Sequence, residues 1–162
     1  MIAIETIVSL LQKALGEEVV MEVEEGGLQP IVQIQPYRVA DICLLLHDHE
    51  DLLFDSLSCI TGIDNGADSD SLDVMYNLYS IPNETALMLK ATLPKSAPAI
   101  PTLSFIWGCA NWLERETYDL VGVEFEDHPD PRRILLPADW EGHPLRKDYQ
   151  HQEKYHGIKV SY

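Results

Sequence analysis

The most metal-like cluster in the sequence is the run His47-Asp48-His49-Glu50-Asp51. On a helix, His47 would share one face with Glu50 or with Asp51, and imidazole and carboxylate groups are ordinary metal ligands. The alternative is a solvated helix end, because imidazoles near a helix C-terminus interact favourably with the helix dipole. No second group of ligands lies nearby in sequence, so we interpret the run as a helix end. A small metal-dependent hydrolase that uses His47 and His49 remains an alternative function.

A second charged group consists of Glu114, Arg115, Glu116 and Asp119. Arg115 and Asp119 are four residues apart, which places them on one face of a helix. An arginine beside carboxylates stabilises their ionised form, so these acids are poorly suited to general acid–base catalysis near neutral pH. Two interpretations stay open. The group is either a surface ion-pair helix that adds little stability, or a charged lattice that fixes the following segment or a partner.

The segment that follows this helix is rich in proline and charge, and has no hydrophobic period of its own. We call residues 127–162 the arm. Its prolines keep it extended, and such a chain buries too little apolar surface to order itself. The arm also carries apolar anchors and cationic donors, and residues of these types are favoured at binding surfaces. The apolar anchors are Ile134, Leu135, Leu136 and Trp140, and the cationic donors are Arg132, Arg133, Arg146 and Lys147. We therefore predict that the arm binds another protein. The alternative is a tail packed on its own domain.

Familiar cofactor motifs are missing from the sequence. It contains neither G-x-G-x-x-G nor G-x-x-x-x-G-K-[ST], and no G-x-S-x-G. The acidic stretch 64–70 lacks the full spacing and terminal glutamate of a calcium loop, so we predict a solvated turn. Cys43, Cys59 and Cys109 include no C-x-x-C pair, so one chain cannot supply the four thiolates of an iron–sulfur cluster. We expect no cofactor and no metal in this chain.

The net charge of −16 excludes some partners. Nucleic acid and anionic lipid would repel so acidic a chain. The charge is uneven: residues 1–110 carry 4 basic and 16 acidic groups, and residues 111–162 carry 7 and 11.

The longest plain apolar run near the middle, 42–46, is far shorter than the roughly 20 residues of a membrane span, and the start lacks the features of a signal peptide. We expect a soluble, cytoplasmic protein that reaches a membrane only through a partner.

These residues must be positioned by elements that hydrophobic periodicity predicts. Apolar residues at helical spacing predict a helix over 2–15, another from about 37 to 46, and a third that begins near 102–104 and ends at Gly122. Alternating or apolar-rich stretches predict strands at 19–25, 31–35, 52–63, 72–81 and 85–93, and a short strand after Gly122. Pro94, Pro98 and Pro101 predict a stiff linker. The sequence therefore predicts an α+β fold, a mostly antiparallel sheet with helices packed on one face, over residues 1–126, followed by the extended arm 127–162.

The second charged group and the arm together resemble a known family. The pattern is Trp112-Leu113-Glu114-Arg115-Glu116-x-x-Asp119-Leu120-x-Gly122-Val123-x-Phe125-x-x-His128-Pro129, then Arg133-Ile134-Leu135, then Asp139-Trp140-Glu141-Gly142-x-Pro144-Leu145-Arg146-Lys147-Asp148-Tyr149. It closely resembles the hydrophilic-arm subunit that is designated C in bacterial NADH–quinone oxidoreductase, respiratory complex I. The match covers about 40 residues tightly and the preceding domain loosely.

The resemblance implies a cofactor-free subunit of the peripheral arm of a proton-pumping complex, on the cytoplasmic side of the bacterial inner membrane. Its relatives pack against the subunit that helps form the quinone pocket, while flavin and iron–sulfur clusters lie on other subunits. The candidate partner contacts are Glu114, Arg115, Glu116, Asp119, His128, Arg133, Trp140, Arg146 and Lys147. The same module occurs in related membrane-bound hydrogenases and other dehydrogenase complexes, which are the nearest alternative. A free-standing acidic adaptor is a third.

Overall fold

The computed structural model describes residues 2–66 and 68–160. Met1 and Ala67 of the predicted domain, and residues 161–162 of the predicted arm, lie outside this set. The helices are α1 (Ile4–Leu15), α2 (Val39–Asp48) and α3 (Ala110–Val121), with short 3-10 turns at Glu17–Val19 and Pro36–Arg38. The strands are β1 (Val20–Glu24), β2 (Ile31–Ile34), β3 (Ser56–Asp64), β4 (Ser71–Ser80), β5 (Thr85–Pro94), β6 (Ala99–Pro101), β7 (Glu124–Glu126), β8 (Lys154–Tyr155) and β9 (Ile158–Lys159).

The main sheet has five strands in the order β1-β2-β5-β4-β3. β4 and β5 form the predicted hairpin, and β1 pairs antiparallel with β2 as predicted. The pairing of β2 with β5 is parallel. The α+β class with a mostly antiparallel sheet is therefore confirmed. The predicted division at residue 126 stays a prediction, although Asp127, directly after β7, has a positive φ of 61° that turns the chain into the arm.

The core lies between the sheet and the helices. β4 places Leu72, Val74 and Tyr76 in this core because alternate side chains of a strand point to the same face. Ile7 of α1 and Ile42 of α2 are buried in the same cluster. On the other face of the sheet the side chains include polar pairs, such as the ion pair of Lys90 on β5 with Asp73 on β4.

Helix α3 covers the outer strand β3. A Cβ atom at Gly62 of β3 would lie 2.9 Å from Thr117 and 3.1 Å from Val121, so only glycine allows this close approach. The Thr117 hydroxyl lies 3.5 Å from the carbonyl oxygen of Ile60. The same packing fixes the position of α3, which carries the second charged group.

Three sequence predictions differ from the structure. The predicted linker contains strand β6, which pairs in parallel with β7. Helix α3 begins at Ala110 and not near 102–104: the residues at 104–106 and 108–109 form turns, and the Leu103 amide and the Thr102 hydroxyl donate to Glu114. The strand predicted at 52–63 begins only at Ser56, since the preceding residues form a turn in which Leu53 has a φ of 43°. The arm also contains a β8–β9 hairpin of two-residue strands, which periodicity does not predict.

Candidate partner-docking surface

Asp119, in the last turn of α3, is the anchor of the arm. Its carboxylate is fully buried, and Oδ2 accepts backbone N–H groups from Ile134, Leu135 and Leu136 at 3.0, 2.7 and 2.9 Å. Oδ1 accepts Arg133 Nη1 at 2.8 Å. Burial by itself raises the pKa of Asp119, but these hydrogen bonds together outweigh it and hold the pKa below its usual range. The ionised carboxylate therefore clamps four consecutive residues of the arm.

Arg133 extends this clamp to a second loop of the arm. Its Nη2 donates to the carbonyl oxygen of Gly142 at 2.8 Å. His143 Nδ1 donates to the backbone carbonyl of Asp119 at 3.1 Å, and the His143 ring packs against Gly122. Gly122 has a φ of +82°, and a Cβ atom there would lie 2.5 Å from the ring, so both the turn and the packing require glycine. Residues 133–143 are thus fixed to the C-terminal end of α3.

Arg115, one turn earlier on α3, binds the start of the arm. Its Nε donates to the carbonyl oxygen of Arg132 at 2.9 Å and its Nη2 to that of Arg133 at 3.2 Å. Its guanidinium also lies 3.4 Å from Asp130 and 5.4 Å from the ring centre of Trp112. Most of these contacts are to neutral carbonyl groups, so the arm neutralises the charge of Arg115 only in part.

Glu114 lies on the buried side of α3. Its carboxylate accepts the Leu103 amide at 2.6 Å and the Thr102 hydroxyl, and His128 Nε2 lies 3.7 Å away. Burial raises the pKa of Glu114 to about 7, although the bonds from Thr102 and Leu103 act in the opposite direction. His128 Nδ1 accepts the Asp130 amide, so its Nε2 carries the proton donated to the Asn111 carbonyl. Glu114 thus joins α3, the segment before it and the arm.

The other candidate residues are spread along the arm and α3. Glu116 is exposed on α3. Trp140 Nε1 donates to the Tyr149 hydroxyl at 3.1 Å, and Arg146 lies 3.3 Å from Asp148. Lys147 is exposed, and its backbone amide donates to Asp64. All nine candidates therefore have a defined place, and their use as contacts to another protein stays a prediction. Of the second charged group, Arg115 and Asp119 contact the following segment and Glu114 contacts the segment before α3, whereas Glu116 is exposed.

Asp64 is an anchor that local sequence pattern does not reveal, since it falls in the stretch predicted as a solvated turn. It ends β3, its side chain is 1% exposed, and it lies 2.7 Å from Lys95 Nζ. Burial raises its pKa, but bonds from the Lys95 side chain and from the Lys147 and Gly66 amides lower it to about 2. Its partner Lys147 is 83 residues away, so no local signal marks this role. The segment near Lys147 is thereby fixed to the end of the sheet.

The second half of the arm is held by the arm itself. The Tyr155 hydroxyl donates to Asp139 at 2.6 Å, and His156 Nε2 lies 2.8 Å from the same carboxylate. The centres of the Trp140 and Tyr155 rings are 5.2 Å apart. These contacts close the β8–β9 hairpin onto the loop that Arg133 fixes.

The arm that is fixed in this way exposes apolar side chains. Leu135 and Leu145 are each 60% exposed. Leu135 is one of the residues clamped by Asp119, and the Leu145 amide donates to the Leu120 carbonyl at 2.9 Å. Both leucines therefore have a fixed backbone and a side chain open to solvent.

The metal-like run His47–Asp51 has a different geometry. His47 lies 2.6 Å from Asp48 and packs edge-on against Trp107, and His49 Nδ1 accepts the Asp51 amide. Over residues 2–66 and 68–160, no group of three or more His, Cys, Asp or Glu side chains is arranged to hold a metal ion. Within the same residues, no helix is both long and apolar enough to cross a bilayer.

Comparisons with known proteins identify the relatives of the chain. The family profile "Respiratory-chain NADH dehydrogenase, 30 Kd subunit" matches residues 32–155. The NADH-quinone oxidoreductase subunit designated C from Geobacter sulfurreducens is 47% identical over 131 residues, which cover 80% of this chain and 80% of that protein.

Two solved structures have a similar fold. The trypsin-resistant fragment of Nqo5 is 28% identical with a TM-score of 0.62, and the match covers 76% of this chain and 98% of the fragment. A chain of the membrane-bound sulfane sulfur reductase, an archaeal respiratory membrane complex, has a TM-score of 0.74 over 90% of this chain and 85% of that chain. At 21% identity this second match shows the fold alone.

Proposed function

Because this chain belongs to the family of the respiratory-chain NADH dehydrogenase 30 Kd subunit, we propose that it is a structural subunit of the peripheral arm of a proton-pumping NADH–quinone oxidoreductase. In this role the arm, residues 127–162, docks on the subunit that helps form the quinone pocket. In this proposal the peripheral arm of the complex lies on the cytoplasmic side of the bacterial inner membrane, and this chain reaches the membrane only through its neighbours.

The observation that carries this proposal is the pair of exposed leucines on a clamped backbone. Leu135 and Leu145 stay 60% exposed although Asp119 and Leu120 fix the segments that carry them. Ordering exposed apolar groups before binding lowers the entropy cost of association. Exposed apolar side chains on a fixed backbone suit a permanent neighbour, because permanent interfaces are more apolar than transient ones.

The chemistry of the chain supports a role without a resident cofactor. Flavin and iron–sulfur clusters then belong to the partner subunits. Cys43 is buried, and burial raises the pKa of its thiol far above the usual range, which keeps it protonated and unsuited to a cluster. The strongly bound carboxylates Asp119 and Asp64 are held by backbone amides, where they fix the fold. In this proposal the isolated chain is not catalytic.

The test is capture of the quinone-pocket subunit by a tagged chain expressed in its native host and extracted with its membranes. A double variant, Leu135→Asp with Leu145→Asp, should reduce capture by about tenfold or more, because burying charge at an apolar contact is costly. The matched control is Leu28→Asp, since Leu28 is 109% exposed on the β1–β2 loop. Equal capture by the double variant and the control, with both folded by circular dichroism, would refute the docking role.

The nearest alternative is the equivalent module of a related membrane-bound complex. The fold that this chain shares with a chain of the archaeal sulfane sulfur reductase is compatible with it. The companions that co-purify decide between the two. NADH- and flavin-binding subunits support the NADH–quinone oxidoreductase, and a hydrogenase or sulfur-reductase subunit in their place supports the alternative.

A further inference from the structure

Three arginines converge on one cleft at the start of the arm. The cleft has a volume of about 410 Å³ and is lined by Arg115, Tyr118, Pro131, Arg132, Arg133 and Ala138. The whole sequence contains five arginines, and its net charge is −16. Three of the five arginines of an acidic chain therefore line one cleft, which a random distribution of these residues would rarely produce.

The charge of these arginines is incompletely neutralised by the described residues of the chain. The carboxylates that contact them are Asp119, on Arg133, and Asp130, on Arg132 and Arg115. The remaining acceptors are the neutral carbonyl groups of Arg132, Arg133, Gly142 and Asp119. Three guanidinium groups thus share two carboxylates as their direct ion-pair partners among the described residues, so one guanidinium charge has no carboxylate of its own.

The arginines also keep hydrogen-bond donors. Each guanidinium has five N–H groups. In the part of the chain that the structure describes, Arg132 uses only its Nε and Nη2, both on Asp130, and its side chain is 80% exposed. Arg115 is fixed by carbonyl bonds and by its position over Trp112. A fixed arginine beside an exposed one is well suited to bind a planar, two-oxygen anion.

We propose that this cleft receives a carboxylate side chain of the neighbouring subunit. The inference rests on the proposed function, and names the chemistry of one contact within it. Aspartate or glutamate on a protein is favoured over a lipid phosphate because the rest of this chain is strongly acidic and would be repelled by an anionic membrane. Charge complementarity then sets the register of the arm on its neighbour.

A zero-length crosslink gives a direct test. Arg132→Lys keeps the charge and places an amine in the cleft, which a carbodiimide joins to any carboxylate in contact with it. In the assembled complex we expect mass spectrometry to find position 132 joined to an aspartate or glutamate of the neighbouring subunit. A crosslink only to Asp130 of the same chain would overturn the inference.

Binding measurements with a matched control complete the test. Arg132→Gln should weaken capture of the neighbouring subunit by about tenfold at low salt and by less at high salt, because the contact is electrostatic. Arg132→Lys should retain most of the capture. Lys13→Gln removes an exposed cation on α1, far from the cleft in sequence and on a different helix, and should leave capture unchanged.

The possible failures are distinct. Unchanged capture by Arg132→Gln in a complex that still forms overturns the carboxylate contact and leaves the proposed function standing. No capture by the unaltered chain overturns both. If the unaltered chain binds vesicles that contain anionic phospholipid and Arg132→Gln does not, the cleft is a lipid site and the inference is wrong.

Discussion

Arg133 Nη1 donates to both the side chain and the main chain of Asp119, at 2.8 Å to Oδ1 and at 3.1 Å to the carbonyl oxygen. One guanidinium therefore joins the arm to the last turn of α3 through two different groups of one residue. The carbonyl groups at a helix C-terminus lack helical partners, and a cation there also interacts favourably with the helix dipole. The extended arm is thus attached at the point where the helix most needs a donor.

Asp119→Asn should destabilise the chain strongly. The variant loses the charge that Arg133 neutralises, and an amide offers one acceptor oxygen where the carboxylate has two. Breaking a buried ion pair by removing one partner costs about 3–5 kcal/mol. The measurement is urea unfolding at pH 7. Glu116→Gln, on the exposed side of the same helix, is the control and should change the free energy of unfolding by less than about 0.5 kcal/mol.

Glu114 should make the chain less stable as pH rises, which is the opposite of the effect of a salt-bridged carboxylate. Its pKa in the folded chain is raised to about 7, above the value near 4.3 of an unfolded glutamate. The folded state therefore binds more protons between these values, and stability falls as pH rises from about 4.5 to 7. The loss that Glu114 contributes across this window is at most about 4 kcal/mol.

Glu114→Gln should remove that contribution, because glutamine does not titrate. Urea unfolding at pH 5 and at pH 8 measures the difference in stability for the variant, for the unaltered chain and for Glu116→Gln. Glu116→Gln should keep the pH dependence of the unaltered chain. If the stability of Glu114→Gln changes between pH 5 and pH 8 as much as that of the unaltered chain, the raised pKa assigned to Glu114 is wrong.

Gly122→Ala should loosen the arm as well as destabilise the helix end. A Cβ atom at Gly122 meets the His143 ring at 2.5 Å, whereas one at Gly26, which also has positive φ, meets nothing within 4 Å. Both alanine variants suffer backbone strain. We expect the free energy of unfolding to fall by about 1–3 kcal/mol more in Gly122→Ala than in Gly26→Ala, and this difference measures the clash with the His143 ring. Hydrogen exchange at the Leu145 amide, which donates to Leu120, should accelerate only in Gly122→Ala. Equal exchange in both variants would show that His143 does not fix the arm.

Local pattern is sufficient to predict most of the elements. The β4–β5 hairpin follows from alternating apolar residues on either side of a Pro-Asn-Glu turn, and α1 from its helical spacing. Which strands pair with each other is harder to predict from local pattern. The parallel pairing of β2 with β5 joins residues more than fifty positions apart, such as Ile31 with Met88, and nothing in either strand's own pattern specifies it.

The sequence by itself determined that a charged helix precedes a proline-rich arm, and its motifs identified the family. Only the tertiary structure decided which acids of that helix are buried. Glu114, Glu116 and Asp119 are similar in type, yet Glu116 is exposed while the other two are buried. The physical reason is that a buried carboxylate needs donors, and those donors come from the segment at Thr102 and Leu103 and from the amides at 134–136. Folding brings those donors to α3 from both directions along the chain, and periodicity within one element carries no information about them.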